Sequence, residues 1–147
     1  MKELARAETE IIKYLQRKYF SAACACLENS LSLPNKNFLC KLAPYIDDNS
    51  VMRAGGRLRF SDIPNRAEHP IILPKESAVP RLIVEEYHKA CGHLGRETLL
   101  SQVRSKYFIV GCSNLVKRVL RECFICRKVQ GKPSTQFMSD LPSDKSY

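Results

Sequence analysis

Nowhere in the 147 residues does an apolar run approach the length of a membrane span, which takes about 20 consecutive apolar residues. The opening Met1-Lys2-Glu3-Leu4-Ala5-Arg6 also lacks the apolar stretch and cleavage signal of a secretory leader. These absences argue against a secreted or membrane-spanning protein and for a nuclear or cytoplasmic one. A disulfide framework is missing as well. The seven cysteines are an odd number, scattered singly apart from Cys24-Ala-Cys26 and Cys123-Phe-Ile-Cys126. No internal repeat or low-complexity tract is present. Acidic residues are the scarcer charge, 15 Asp plus Glu against 24 Lys plus Arg, giving a formal +9. That excess suits a polyanionic partner such as nucleic acid or an acidic membrane surface, although a merely soluble basic protein has the same balance.

What is present is enough for one ordinary domain or two small ones, at 44% hydrophobic residues. Residues 4 to about 27 read as one helix, free of Gly and Pro, with Ala5, Ile12, Leu15, Tyr19 and Ala22 near helical spacing. Asn29, Ser30, Ser32, Pro34, Asn35 and Asn37 then form a polar break. From Phe38 to Pro74 short apolar runs alternate with turn residues. Ile46, Val51-Met52-Arg53 and Leu58-Arg59-Phe60 suggest small strands, with turns at Asp47-Asp48-Asn49-Ser50 and Ala54-Gly55-Gly56. Gly55-Gly56 has neither the spaced glycines nor the Lys-Ser/Thr of a phosphate cradle, so a turn or bulge is expected. Ile71-Ile72-Leu73 between Pro70 and Pro74 looks like a short buried strand.

Three further helices are expected. The first runs from Ser77 or Pro80 to Cys91, with Leu82, Ile83, Val84 and Tyr87, and is stopped by Gly92. The second runs from Arg96 to about Lys106 with Leu99, Val103 and Tyr107 on one side. The third runs from Asn114 to about Glu122, capped by Ser113 or Asn114, with Leu115, Val116, Val119 and Leu120 opposite Lys117, Arg118, Arg121 and Glu122.

His88 and His93 have four residues between them, Cys123 and Cys126 two, and 29 residues separate the pairs. Zinc takes four nitrogen and sulfur ligands in a tetrahedron, commonly as two close pairs brought together by a fold. A cysteine pair alone is sometimes a redox site, but that motif expects a strand-helix setting, and here the pair ends a basic helix. One structural zinc held by His88, His93, Cys123 and Cys126 is the reading. Cys91, between the histidines, could replace one of them. Otherwise it is a small buried residue, as are Cys24, Cys26, Cys40 and Cys112, and His69 is a loop residue.

The run His88-Lys-Ala-Cys-Gly-His93-Leu-Gly, then Thr98-Leu-Leu100, Lys106-Tyr-Phe-Ile109 and Cys123-Phe-Ile-Cys126, resembles the His-His-Cys-Cys domain of retroelement integrases. Upstream, Arg53-Ala-Gly-Gly-Arg57-Leu58 and His69-Pro-Ile-Ile-Leu-Pro74 are similar to the segment that precedes this domain in BEL/Pao retrotransposon integrases. The chain has no tryptophan, and Phe108 stands at the aromatic position usually filled by one. The resemblance implies a mainly α fold with a small β segment: a zinc-stabilised three-helix bundle of helix-turn-helix type, preceded by short strands and an N-terminal helix. It divides the chain into an N-terminal helical segment (1–36), a β-rich segment (37–74), an integrase-like zinc-binding domain (75–132) and a linker-like tail (133–147).

In the family the module contacts DNA and supports multimer assembly, while the catalytic Asp, Asp and Glu belong to a separate downstream domain. Only 21 residues follow Cys126, so no catalytic residue is expected here, and the 34-residue gap between Asp62 and Glu97 is a coincidence. Between Lys117 and Lys132 six basic residues (Lys117, Arg118, Arg121, Arg127, Lys128, Lys132) face one acid, Glu122. These are the candidate phosphate contacts, with a plainly solvated helix face as the other reading. The expected function is a non-catalytic integrase module that binds DNA and self-associates, with no small-molecule substrate and no membrane partner. The alternative is a domesticated protein-protein interaction module stabilised by zinc.

Overall fold

The computed structural model describes residues 2–29, 31, 33, 38–55, 69–129 and 131. The expected strand at Leu58-Arg59-Phe60, most of the polar break after Asn29, and Gly56, Asp62, Lys132 and the tail 133–147 lie outside the described residues. Among those described, six α-helices surround a four-stranded sheet. They are α1 Lys2–Tyr19, α2 Ser21–Glu28, α3 Val79–Ala90, α4 Arg96–Lys106, α5 Cys112–Glu122 and α6 Phe124–Val129. The strands are β1 Pro44–Ile46, β2 Met52–Ala54, β3 Ile71–Leu73 and β4 Tyr107–Ile109, and a 3-10 turn covers Phe38–Leu42. None of these helices is long and apolar enough to cross a membrane.

The sheet runs β1-β2-β3-β4, antiparallel except for β3 and β4, which pair in parallel with Ile71 opposite Tyr107 and Leu73 opposite Ile109. Strand side chains alternate between faces, and here each face has its own core. Val51, Ile71, Leu73, Tyr107 and Ile109 pack with Ile12 of α1 and with Val84, Leu99, Val103, Val116 and Val119 of α3, α4 and α5. Met52, Ala54 and Ile72 pack on the other side with Ala23, Cys24 and Leu39, and Phe108 leans on that second core.

The β1-β2 turn is built by Asp47, whose Oδ1 accepts the Asn49 and Val51 backbone N–H groups at 3.0 and 2.9 Å while Oδ2 accepts Arg53 Nε at 2.6 Å. Partial burial opposes ionisation of Asp47, but Arg53 and these N–H donors hold its carboxyl below the usual value. Gly55 ends β2 with its N–H shared between Leu42 and Ala43 carbonyls, and a Cβ there would collide with the Ala43 carbonyl oxygen. Close backbone approach, rather than phosphate binding, explains this glycine.

Several expectations are corrected. The N-terminal helix is two helices, because Phe20 leaves helical geometry (φ −124°, ψ 32°) to place its ring edge-on to Phe38. The buried face of α1 is Ile12, Leu15 and Gln16, whereas Ala5, Tyr19 and Ala22 are exposed. Helix α4 ends at Lys106 as expected, but Tyr107, placed with Leu99 and Val103 on one side of that helix, begins a strand, as the run Tyr-Phe-Ile favours a pleated surface. Helix α5 starts at Cys112 after Gly111, whose φ of +73° sets the turn, so Ser113 and Asn114 are not its cap. Ser113 Oγ instead accepts Arg96 Nη2 at 2.7 Å, tying the start of α5 to the start of α4. Leu82 is 60% exposed and not core. Of the cysteines expected to be buried, Cys24 and Cys112 are, while Cys26, Cys40 and Cys91 are half-buried.

Candidate metal centre

Helix α3 stops in a Schellman motif. The Gly92 N–H bonds the Lys89 carbonyl at 3.0 Å and the His93 N–H bonds the His88 carbonyl at 3.1 Å. Gly92 (φ +64°) and His93 (φ +62°) are both left-handed, which folds the chain back so that His93 faces the end of the helix that carries His88. Glycine adopts that conformation freely; histidine does so less often but is among the side chains that tolerate it.

The cysteines come from the α5-α6 junction. Cys123 is extended (φ −68°, ψ 119°) between the two helices, and its carbonyl accepts the Arg127 N–H at 3.1 Å to open the first turn of α6. That turn brings Cys126, 4% exposed, beneath Cys123.

The four donor atoms, His88 Nε2, His93 Nδ1, Cys123 Sγ and Cys126 Sγ, converge. All lie within 4.8 Å of one another. His88 Nε2 to His93 Nδ1 is 2.9 Å, Cys123 Sγ to His93 Nδ1 is 3.3 Å, and Cys126 Sγ to His88 Nε2 and His93 Nδ1 is 3.2 and 3.9 Å. A tetrahedron with Zn–N near 2.0–2.1 Å and Zn–S near 2.3 Å has edges of roughly 3.3 to 3.8 Å, so the donors already sit near its corners. His88, His93, Cys123 and Cys126 are thus positioned to bind one metal ion, and two imidazoles with two thiols are a zinc donor set. Cys91 stands outside the cluster.

Electrostatics agree with this assignment. Burial, reinforced by His93, pushes the His88 pKa below its ordinary value, so the imidazole is neutral and has a lone pair to donate. The Cys126 backbone N–H, together with the Cys126 thiol and the Ile125 N–H, lowers the Cys123 pKa and favours the thiolate. Burial and the neighbouring Cys123 raise that of Cys126. With Nε2 aimed at the centre, the remaining proton of His88 sits on Nδ1, which is buried with no hydrogen-bond partner. Zinc-bound histidines usually donate that proton to an acceptor that fixes the ring. Here the orientation rests on the end of α3 and on the edge-to-face contact with His93, centroids 4.5 Å apart.

Two supports went unseen in the sequence. Arg81 of α3 bonds Glu85 at 2.7 Å and, 41 residues away, Glu122 at 2.8 Å, clasping α3 to the residue before Cys123. Lys106 and the Tyr107 hydroxyl both donate to Glu8 of α1, holding the N-terminal helix against the helical module. An i,i+4 Arg-Glu pair is visible in a sequence, but a pair 41 or 98 residues apart is not.

Of the basic residues singled out, Lys117, Arg118 and Arg121 lie on the exposed face of α5 and Arg127 and Lys128 on α6, all solvent-accessible. Lys132 lies outside the described residues.

No curated protein and no solved structure matches the chain. Residues 76–132 match the family model described as the integrase zinc binding domain, and all four converging donors lie inside that match.

Proposed function

We propose that this chain supplies the non-catalytic zinc module of a retrotransposon integrase of the BEL/Pao kind, binding DNA through the outer faces of α5 and α6 and supporting multimer assembly. His88, His93, Cys123 and Cys126 are its zinc ligands, in a domain spanning 75–132, with 1–36 and 37–74 as helical and β-rich segments before it and 133–147 as a linker. The protein works in the nucleus or cytoplasm. One observation supports the DNA reading above the others: the metal cluster fixes the end of a helix whose outer face carries Lys117, Arg118 and Arg121 in solvent. A zinc ion with two thiolates is formally neutral, so it leaves the charge of this face intact.

Phosphate contacts of this kind give affinity that depends on salt and little on sequence. The logarithm of the DNA binding constant should therefore fall with the logarithm of salt concentration by about 0.9 per phosphate neutralised. The double variant Arg118→Glu/Arg121→Glu should abolish most binding while zinc content stays unchanged. Magnesium or manganese should elicit no strand transfer or end processing. A binding constant indifferent to salt would remove the proposed contact surface.

A second reading has its own observation. Phe124, Ile125 and Val129 of α6 are all exposed beside the metal centre, which suits a module whose zinc maintains a protein contact. Under that reading the charge-reversal variant loses nothing in assembly.

A further inference from the structure

Helix α6 buries Cys126 and leaves Phe124 74% exposed, the most exposed aromatic side chain among the described residues. At about 100° per residue, Phe124 stands roughly 160° around the helix from Cys126, with Arg127 about 60° to one side of it and Lys128 about 40° to the other. The ring therefore points away from the core, between two cations that are themselves exposed. Ile125 and Val129, also exposed, continue the apolar strip beyond Lys128. On α5, Lys117, Arg118 and Arg121 add to the positive charge. The one acid of the two helices, Glu122, is bonded to Arg81 at 2.8 Å.

We infer that Phe124 stacks on an unpaired base of DNA while Arg127 and Lys128 hold the flanking phosphates, so that the ligand of this surface is single-stranded DNA rather than closed duplex. The cations complement a polyanion, and a nucleic acid is the polyanion that also brings flat apolar faces to a ring. In a closed duplex those faces are covered by the neighbouring bases. Once a base is unpaired its face is free, and stacking on an aromatic side chain tolerates any base. In a protein contact the same ring would sit in the apolar core of the patch, where charged residues, lysine among them, are depleted. Phe124 instead has a cation on either side. This inference rests on the DNA reading above and names the form of DNA that it takes.

The full zinc-loaded chain is titrated with a thymidine oligonucleotide and with a blunt duplex of equal length. Binding to the single strand should fall less steeply with salt, by about 0.7 against 0.9 per phosphate neutralised, so that added salt strips the duplex first. Phe124→Ala should lower the ratio of single-strand to duplex affinity about 10-fold, and Phe124→Leu, which keeps apolar bulk without a ring, should lower it as much. Phe124→Trp should restore the ratio. The chain has no tryptophan of its own, so the emission of this variant reports one position, and it should be quenched by the oligonucleotide and not by the duplex. Phe124 is exposed and is not a metal ligand, so each variant should hold one zinc. Duplex binding with an affinity ratio that Phe124→Ala leaves in place, or a tryptophan that no single strand quenches, would overturn the stacking and leave the DNA reading standing. Emission that changes with protein concentration alone, with no response to the oligonucleotide, would give the ring to a protein contact and overturn it as well. A chain that binds neither polymer would remove the DNA reading and this inference together.

Discussion

Treating the purified protein with a strong chelator should melt α3 to α6 and collapse the far-UV helical signal, while part of the amino-terminal half survives. Zinc bound to four ligands in a small module contributes an apparent ~10 to 16 kcal/mol near neutral pH, comparable with the whole stability of an ordinary domain. Against this, α3, α4 and α5 bury only a few aliphatic side chains, chiefly Val84, Leu99, Leu100, Val103, Val116 and Val119. Met52, Ile72, Leu39 and Ala23 belong to the other core and do not depend directly on the metal. Elemental analysis should find one zinc per chain, with near zero in Cys123→Ser or His93→Ala and near one in Cys91→Ser.

Acid should act as the chelator does, because each released ligand takes up a proton. The sign holds for the metal-free fold too: burial lowers the folded pKa of His88 below 6.5, so as pH falls past that value the unfolded chain binds the proton first and stability declines. Helicity indifferent to chelation, or zinc lost in the Cys91 variant, would undo the ligand assignment.

The metal cluster was legible in the sequence because its information is local. His88-His93 is set by one helix end and one glycine, and Cys123-Cys126 by one helical turn. Helix α4 was legible from end to end, Arg96 to Lys106, from its own run of helix-favouring residues. The errors fall where a distant partner decides. Tyr107 is helical by continuation and a strand only because β3, 36 residues earlier, offers a free ladder. Phe20 breaks the first helix to meet Phe38. Leu82 satisfies the apolar pattern of α3, but the described residues leave it 60% exposed, and a pattern cannot report which face is covered.

Replacing Gln16 should cost as much as any single substitution away from the metal. Its side chain is 2% exposed and saturated: Nε2 donates to the Met52 and Ile72 carbonyls at 2.9 and 2.8 Å, and Oε1 accepts the Met52 N–H at 2.8 Å. Only one residue pair, Arg53 with Ile71, registers between β2 and β3, and Gln16 bridges the two strands where the ladder ends. Gln16→Leu fills similar space but leaves three buried backbone groups unpaired, at about 1 to 3 kcal/mol each before relaxation. A net loss of roughly 3 to 5 kcal/mol in urea unfolding is expected, lowering Tm by about 10 °C for a chain of this size. Gln16→Glu should be worse at neutral pH, since a carboxylate would face two carbonyl oxygens, and should recover in part where acid protonates it. A Gln16→Leu protein as stable as the parent would show that the bridge contributes nothing.

The parallel ladder between β3 and β4 has a bearing on what counts as a unit of this molecule. Tyr107-Phe108-Ile109 lies inside the segment that matches the integrase model, but its ladder partner, Ile71-Ile72-Leu73, lies before residue 76 where the match begins. A polypeptide cut at the matched boundary would keep every metal donor and still present an unpaired aromatic edge, the kind of strand that recruits foreign chains. The recognisable pattern and the self-sufficient folding body therefore have different borders. A fragment able to stand alone must begin no later than the proline before β3.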